Sequence, residues 1–209
     1  LLSDEQKKRW AELVFTIEML LAALLGFVCG SIPFGLLLTK AAGLGDVRDI
    51  GSGSIGATNV LRTGNKGLAA ATVLLDAAKG GVPVLIAEHL WQGTGGITAV
   101  AAVAGHCFTP WLKFKGGKGF ATAAGVLLAL AWPVMLVCAG IWAVTLFLSR
   151  ISSVSSMTTV VLAPALAWLM GYPQVVWPLV AVAAIVLIQH RANIGRLMRG
   201  EEPKIGAGK

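Results

Sequence analysis

The chain has 209 residues, of which 56% are hydrophobic and 13% charged, with a formal net charge of +7. Soluble domains carry about 25% charged residues, and a globule of this length leaves too much surface exposed to hide so much apolar content. A mean hydropathy of +0.78 also excludes a disordered chain. What remains is an integral membrane protein, whose basic charge marks loops on one side or anionic substrates rather than nucleic acid.

Residues 1–19 are amphipathic rather than spanning. Ser3 and Gln6 have capping-box spacing, Lys7, Lys8, Arg9, Glu12 and Glu18 interrupt any apolar run, and Trp10 suits the headgroup level. The segment 1–18 is expected to be a short interfacial helix, separate from a single membrane domain over 19–209. No small-residue cleavage pattern follows it, so it does not read as a signal peptide. Apolar stretches come next at 19–40, 67–91, 95–111, 118–131, 133–149, 154–171 and 174–192. Several fall short of the roughly 20 residues of an upright span. The expectation is an all-α protein of about seven crossings, some short, tilted or partial.

The connectors alternate in charge. Those at 41–66, 112–118, 150–153 and 193–209 hold Arg48, Arg62, Lys66, Lys113, Lys115, Lys118, Arg150, Arg196, Arg199, Lys204 and Lys209. Those at 92–94, 132–133 and 172–173 hold no Lys or Arg. The rule that basic loops stay inside puts the first group in the cytoplasm. It also puts the N-terminal Lys7-Lys8-Arg9 outside, against the same rule. Asp76 and Lys79, at i, i+3 in an apolar run, are expected to form a structural pair, because intramembrane charges are costly alone. Cys29, Cys107 and Cys138 fit neither a disulfide framework nor a zinc spacing.

Four connector segments carry chemistry. Gly51-Ser-Gly-Ser-Ile-Gly-Ala-Thr-Asn59 is glycine-rich, so its backbone N–H groups can approach an anion. A helix starting near Gly56 would add its N-terminus, and Arg62 would add a guanidinium fork. On its own the segment equally suits an ordinary flexible loop. Gly116-Gly117-Lys118-Gly119 again precedes an apolar run, as an anion nest beside a lysine. The Walker spacing is absent. His106 suits either a proton shuttle or a packing role. Ser152, Ser153, Ser155 and Ser156 open a helix, as caps or as phosphate donors. His190 and Asn193 share a helical face at i, i+3, with Arg191 and Arg196 beside them. By parity of the crossings all four segments share one side of the membrane.

These residues resemble the bacterial acyl-phosphate:glycerol-3-phosphate acyltransferase family. The likeness lies in Gly51 to Asn59 with Arg62, in Gly105-His106 through Pro110 and Phe114-Lys-Gly-Gly-Lys-Gly119 to Ala121-Thr122, and in His190, Asn193-Ile194, Arg196-Leu197, Gly200 and Glu202. It runs in order from about residue 20 to 206. One departure is Ser54, where that family commonly has Asn; the 1–18 extension lies outside the likeness.

The resemblance implies a seven-helix enzyme of the bacterial inner membrane, with its N-terminus outside and its site and C-terminus cytoplasmic. It would move a fatty acyl group from acyl phosphate to the 1-hydroxyl of glycerol 3-phosphate, giving lysophosphatidic acid and phosphate. No cofactor or metal is implied. Partners would be the two substrates, membrane lipid and the upstream enzyme that forms acyl phosphate. Carried onto this chain, Ser52, Lys118, His190 and Asn193 would be catalytic. Ser52, Gly53, Ser54 and Gly56, with Thr58 and Asn59, would hold the acyl-phosphate head. Arg62, Lys118, Ser153, His190 and Asn193 would hold glycerol 3-phosphate, supported by His106, Gly116 and Gly117. The proton would pass to the substrate's own phosphate, with His106 as the competing base. Two other classes stay open on sequence: a phosphate-ester transporter, which the short uncharged outer connectors disfavour, and a metal-dependent phosphotransferase, for which Asp46, Asp49 and Asp76 form no evident cluster.

Overall fold

The structure, a computed structural model, describes residues 3–205. Leu1, Leu2 and residues 206–209, with Lys209, lie outside the described residues. The described chain is helical with no strand. Helix α1 is Asp4–Gly30, α2 Phe34–Ala41, α3 Ala57–Val60, α4 Lys66–Leu90, α5 Gly95–Cys107, α6 Phe120–Ser149, α7 Ser152–Leu169, α8 Val176–Gln189 and α9 Arg191–Met198.

Ser3 and Gln6 form the expected capping box at the start of α1. The helix then runs unbroken through Met19, so the amphipathic segment and the first apolar stretch are one rod rather than two elements. Residues 4–17 stand exposed, clear of the bundle. The rod ends at Ser31–Pro33, where proline supplies no N–H to continue it. The stretch 19–40 is therefore the second half of α1 plus α2.

The largest departure from a straight helix is in α6. Ala131 is non-helical (φ −158, ψ 74) just before Trp132 and Pro133. Phe120 and Trp142 stack with ring centroids 6.0 Å apart, whereas a straight helix would hold them about 33 Å apart at 1.5 Å per residue. The helix folds back at Ala131, so the sequence stretches 118–131 and 133–149 are its two limbs.

Among the described residues, four helical stretches are long and apolar enough to cross a membrane: Asp4–Ala41, Lys66–Leu90, Phe120–Ser149 and Ser152–Leu169. A fifth is counted when Pro173–Gln189 and Arg191–Met198, bent 59° apart, are taken together. Full-length spans are thus fewer than seven, in keeping with the expectation that some of the crossings are short or partial. Seven helical limbs do correspond to the seven stretches, namely α1, α4, α5, the two limbs of α6, α7 and α8. With 13 and 14 residues, α5 and α8 are too short to stand upright across about 30 Å of hydrocarbon. The last stretch, 174–192, is also interrupted, at His190.

Small residues let the backbones close up, as membrane helices require when lipid competes for apolar side chains. A Cβ on Gly30 would collide with the Ala102 carbonyl, and one on Gly125 with the Ala77 carbonyl. The buried core lies between these helices, around Val84, Val103, Val126, Val182 and Val186. Gly26 meets Thr98 and Gly30 meets Ala102, so α1 and α5 run in the same direction. Gly80 meets Thr122, and Gly81 meets Gly125, so the first limb of α6 runs with α4. The ends of α1, α5 and α8 therefore share one end of the bundle with the starts of α4, α6 and α7. All four basic connectors gather there.

Candidate anion-binding site

The glycine segment folds around one side chain. Asn59 is buried, and its Nδ2 faces the carbonyls of Val47, Ile50 and Ser54 at 2.6, 3.1 and 2.8 Å. Its Oδ1 accepts from the Ser52 N–H at 3.1 Å and from Arg62 Nη1 at 3.2 Å. The amide is fully occupied inside the loop. Asn59 therefore ties together, from inside, the loop expected to hold the acyl-phosphate head. Gly51 and Gly53 have φ of +55 and +65, the left-handed region that glycine enters at little steric cost. Arg62 also lies against Gly51, so a side chain at 51 would displace the guanidinium. Ser52, Gly53 and Thr58 are exposed, and Ser54 and Gly56 half-buried. The Ser54 hydroxyl accepts from the Gly56 N–H at 3.3 Å. Only one helical turn, α3, follows Gly56 before a tight 3-10 turn at Leu61–Thr63. The expected helix N-terminus is thus a single turn.

The second loop is hooked under the end of α5. Gly116 N–H donates to the Cys107 carbonyl at 3.0 Å and Gly117 N–H to the His106 carbonyl at 3.1 Å. Lys113 and Phe114, both at positive φ, set the reversal, at about 1–2 kcal/mol each for non-glycine residues. Gly117 rests on the His106 ring with no room for a side chain. His106 is buried beneath the loop backbone, with Nδ1 turned toward Asp76. That geometry favours packing over a shuttle reaching substrate. Lys118 follows at the loop's open side, half-buried.

The third region closes on Glu202. Its carboxylate accepts from Ser153 Oγ at 2.7 Å, Asn193 Nδ2 at 2.5 Å and Arg196 Nε at 2.7 Å. Burial pushes the Glu202 carboxyl up, but these donors outweigh it and hold the group below its ordinary range. The strap carrying it is pinned where Ile205 N–H donates to the Arg150 carbonyl at 2.7 Å. His190 Nδ1 donates to the Val186 carbonyl at 2.8 Å. In the neutral ring this hydrogen bond leaves Nε2 as the acceptor. Asn193 Oδ1 is buried with no hydrogen-bond partner among the described residues, so it is a second bare acceptor.

These regions meet. Burial pulls the Lys118 amine below its ordinary range, and neighbouring Arg196 and Arg62 lower it further against the opposing pull of Glu202. Arg62 and Arg196, carried by different segments, thus both lie within electrostatic reach of Lys118. Ser153, Asn193 and Arg196 meet on Glu202, and Lys118 lies within electrostatic reach of Glu202, Arg62 and His190. Ser52 joins them through Asn59 and Arg62. Arg196 and Glu202 are integral to the cluster, although the sequence reading gave neither a role in it. The available signal was the spacing of Glu202 six residues beyond Arg196 in a tail otherwise basic apart from Glu201.

A family model described as glycerol-3-phosphate acyltransferase matches residues 20–200. The chain is 58% identical over 192 residues to the glycerol-3-phosphate acyltransferase of Erythrobacter litoralis, covering 92% of this chain and 98% of the relative. It is 56% identical to that of Mesorhizobium japonicum over the same shares. It also resembles the crystal structure of PlsY (YgiH), an integral membrane glycerol 3-phosphate acyltransferase, in its glycerol 3-phosphate form. That match has a TM-score of 0.85 and 35% identity, over 90% of this chain and 96% of that one. The family thus matches all of the bundle from the middle of α1 to the end of α9, and the chain belongs to the glycerol-3-phosphate acyltransferase family.

Proposed function

We propose that this chain transfers a fatty acyl group from acyl phosphate to the 1-hydroxyl of sn-glycerol 3-phosphate, releasing lysophosphatidic acid and inorganic phosphate. The observation that carries the reading is the Glu202 cluster, which gathers Ser153, Asn193 and Arg196 with Lys118 and Arg62 in electrostatic reach and the buried Asn193 Oδ1 left without a hydrogen-bond partner among the described residues. Three cations suit a phosphate dianion, and neutral acceptors suit glycerol hydroxyls. A second anion finds the exposed Ser52–Gly53 backbone of the neighbouring loop. The solved PlsY structures include a glycerol 3-phosphate form and a lysophosphatidic acid form, which supports the acceptor and product.

Acyl phosphate is a mixed anhydride and already activated, so no covalent acyl-enzyme is required. The hydroxyl oxygen attacks the carbonyl carbon, the new ester C–O bond forms, and the bond from that carbon to the phosphate oxygen breaks. The hydroxyl proton passes to substrate phosphate, and the glycine loop with Ser52 and Ser54 receives the charge developing on the leaving group. Ser153 and Asn193 are held in place by Glu202, while His190 and Asn193 aim the acceptor. Placing the two reactants together can supply about 7–11 kcal/mol in favourable cases.

The basic end of the bundle faces the cytoplasm of a bacterial inner membrane, with the N-terminus outside. The charge asymmetry of the connectors supports this. The upstream enzyme that makes acyl phosphate is then the natural partner on that side. The test is purified protein with palmitoyl phosphate and labelled glycerol 3-phosphate, without coenzyme A or added metal. Labelled lysophosphatidic acid and phosphate in equal amounts are expected. No product with palmitoyl phosphate, or product only with an acyl thioester, contradicts the reading.

A further inference from the structure

One buried cluster is used by neither substrate. Lys79 and Asp76 of α4 pair at 2.7 Å, both almost fully buried. Lys79 Nζ also donates to the Ile32 carbonyl at 2.6 Å, 5.7 Å from the centre of the Phe34 ring. Ile32 and Phe34 flank the break between α1 and α2. Gly35, next in the chain, packs directly under the Ile55 carbonyl of the glycine loop. The same Asp76 Oδ1 that meets Lys79 also lies 3.8 Å from His106 Nδ1, and that nitrogen has no hydrogen-bond partner among the described residues. The His106 ring carries Gly117, and Lys118 follows. A continuous path therefore runs from the glycine loop, through α2, Lys79, Asp76 and His106, to the Lys118 loop.

We propose that the Asp76–Lys79 pair is a positioning device that sets the glycine loop and the Lys118 loop at a fixed separation, and with them the two reacting groups. This rests on the acyltransferase reading above. A buried ion pair is poor evidence of stabilisation, because an apolar replacement of similar volume is often neutral or better. If the pair served only the fold, Asp76→Leu/Lys79→Met would be silent. If it sets a distance, each site keeps its own ligand contacts while the reacting atoms fall out of register.

The experiment measures kcat, both KM values and melting temperature for Asp76→Leu/Lys79→Met in full-length protein, with palmitoyl phosphate and glycerol 3-phosphate. The expected result is a kcat about 100-fold lower, the loss associated with a misplacement near 1 Å. Both KM values should stay within about threefold and the melting temperature should not fall, since only transition-state register is lost. Lys79→Arg, which keeps the charge, should retain most of the turnover. Unchanged kcat in the double variant overturns the proposal, and so does a melting temperature that falls together with activity. Should the double variant not fold, Lys79→Gln carries the test, because it keeps a donor for Ile32; full turnover there overturns the proposal. Absence of product from the unsubstituted protein would instead defeat the acyltransferase reading, so the two failures are told apart.

Discussion

The Ser153 hydroxyl donates to Glu202 at 2.7 Å, joining the first turn of α7 to the strap that follows α9. The same carboxylate takes Asn193 and Arg196. A carboxylate therefore sits among the donors proposed for the substrate, and it holds them in place. Glu202→Gln should cost about 1–3 kcal/mol, because charged hydrogen bonds are lost while the partners remain. It should also raise KM for glycerol 3-phosphate. Unchanged melting temperature and KM would remove Glu202 from this role.

The same group predicts an acid limb. Its folded pKa lies below the ordinary glutamate range. Its contribution to stability is therefore complete above that range and is lost as pH falls through the lower folded value. Melting curves across this acidic window should fall more steeply for the parent than for Glu202→Gln. Parallel curves would contradict the assignment.

Lys118 points the other way. Burial and the neighbouring arginines pull its pKa down, so in the folded protein without ligand its positive charge is held at a free-energy cost. Lys118→Met should leave the melting temperature equal or higher while raising KM for glycerol 3-phosphate by roughly tenfold or more, the scale of a charged hydrogen bond. Arg62→Ala should raise the same constant. In the parent, this KM should climb as pH rises through the lowered Lys118 pKa, where the charge is lost. A KM that ignores both substitutions would defeat the phosphate assignment.

Asn59 supports the other loop from within. Asn59→Leu leaves the Val47, Ile50 and Ser54 carbonyls without their donor, which should destabilise the protein by about 1–3 kcal/mol and weaken acyl-phosphate binding in particular. Thermal melts and a titration of palmitoyl phosphate at saturating glycerol 3-phosphate check this. A stable variant with an unchanged constant would contradict it.

The sequence made the membrane class legible through hydropathy, and the site legible through basic and glycine-rich connectors of like parity. Trp132-Pro133 marked the reversal of α6 because proline and a bulky interfacial ring interrupt an otherwise uniform apolar run. The junction at Met19 was misread, since a change from amphipathic to apolar composition need not break a helix whose backbone bonds continue. The bend at His190 was hidden, because the apolar stretch runs on through it. Glu202 carried the family likeness but no assigned role, because one of two adjacent acids in a basic tail looks like a solvated counter-charge until its donors arrive from α7 and α9. That Asn59 ties the glycine loop together was not legible, because a loop's internal hydrogen bonds leave no periodic trace.

Separate segments must present their side chains at one face of the bilayer. Single-cysteine variants at Ser52, Lys118 and Ser153, probed in sealed vesicles with a membrane-impermeant thiol reagent, test this most directly. All three should react from the same side, with glycerol 3-phosphate slowing the reaction at Ser153. Labelling of Ser52→Cys and Ser153→Cys from opposite sides would contradict the account.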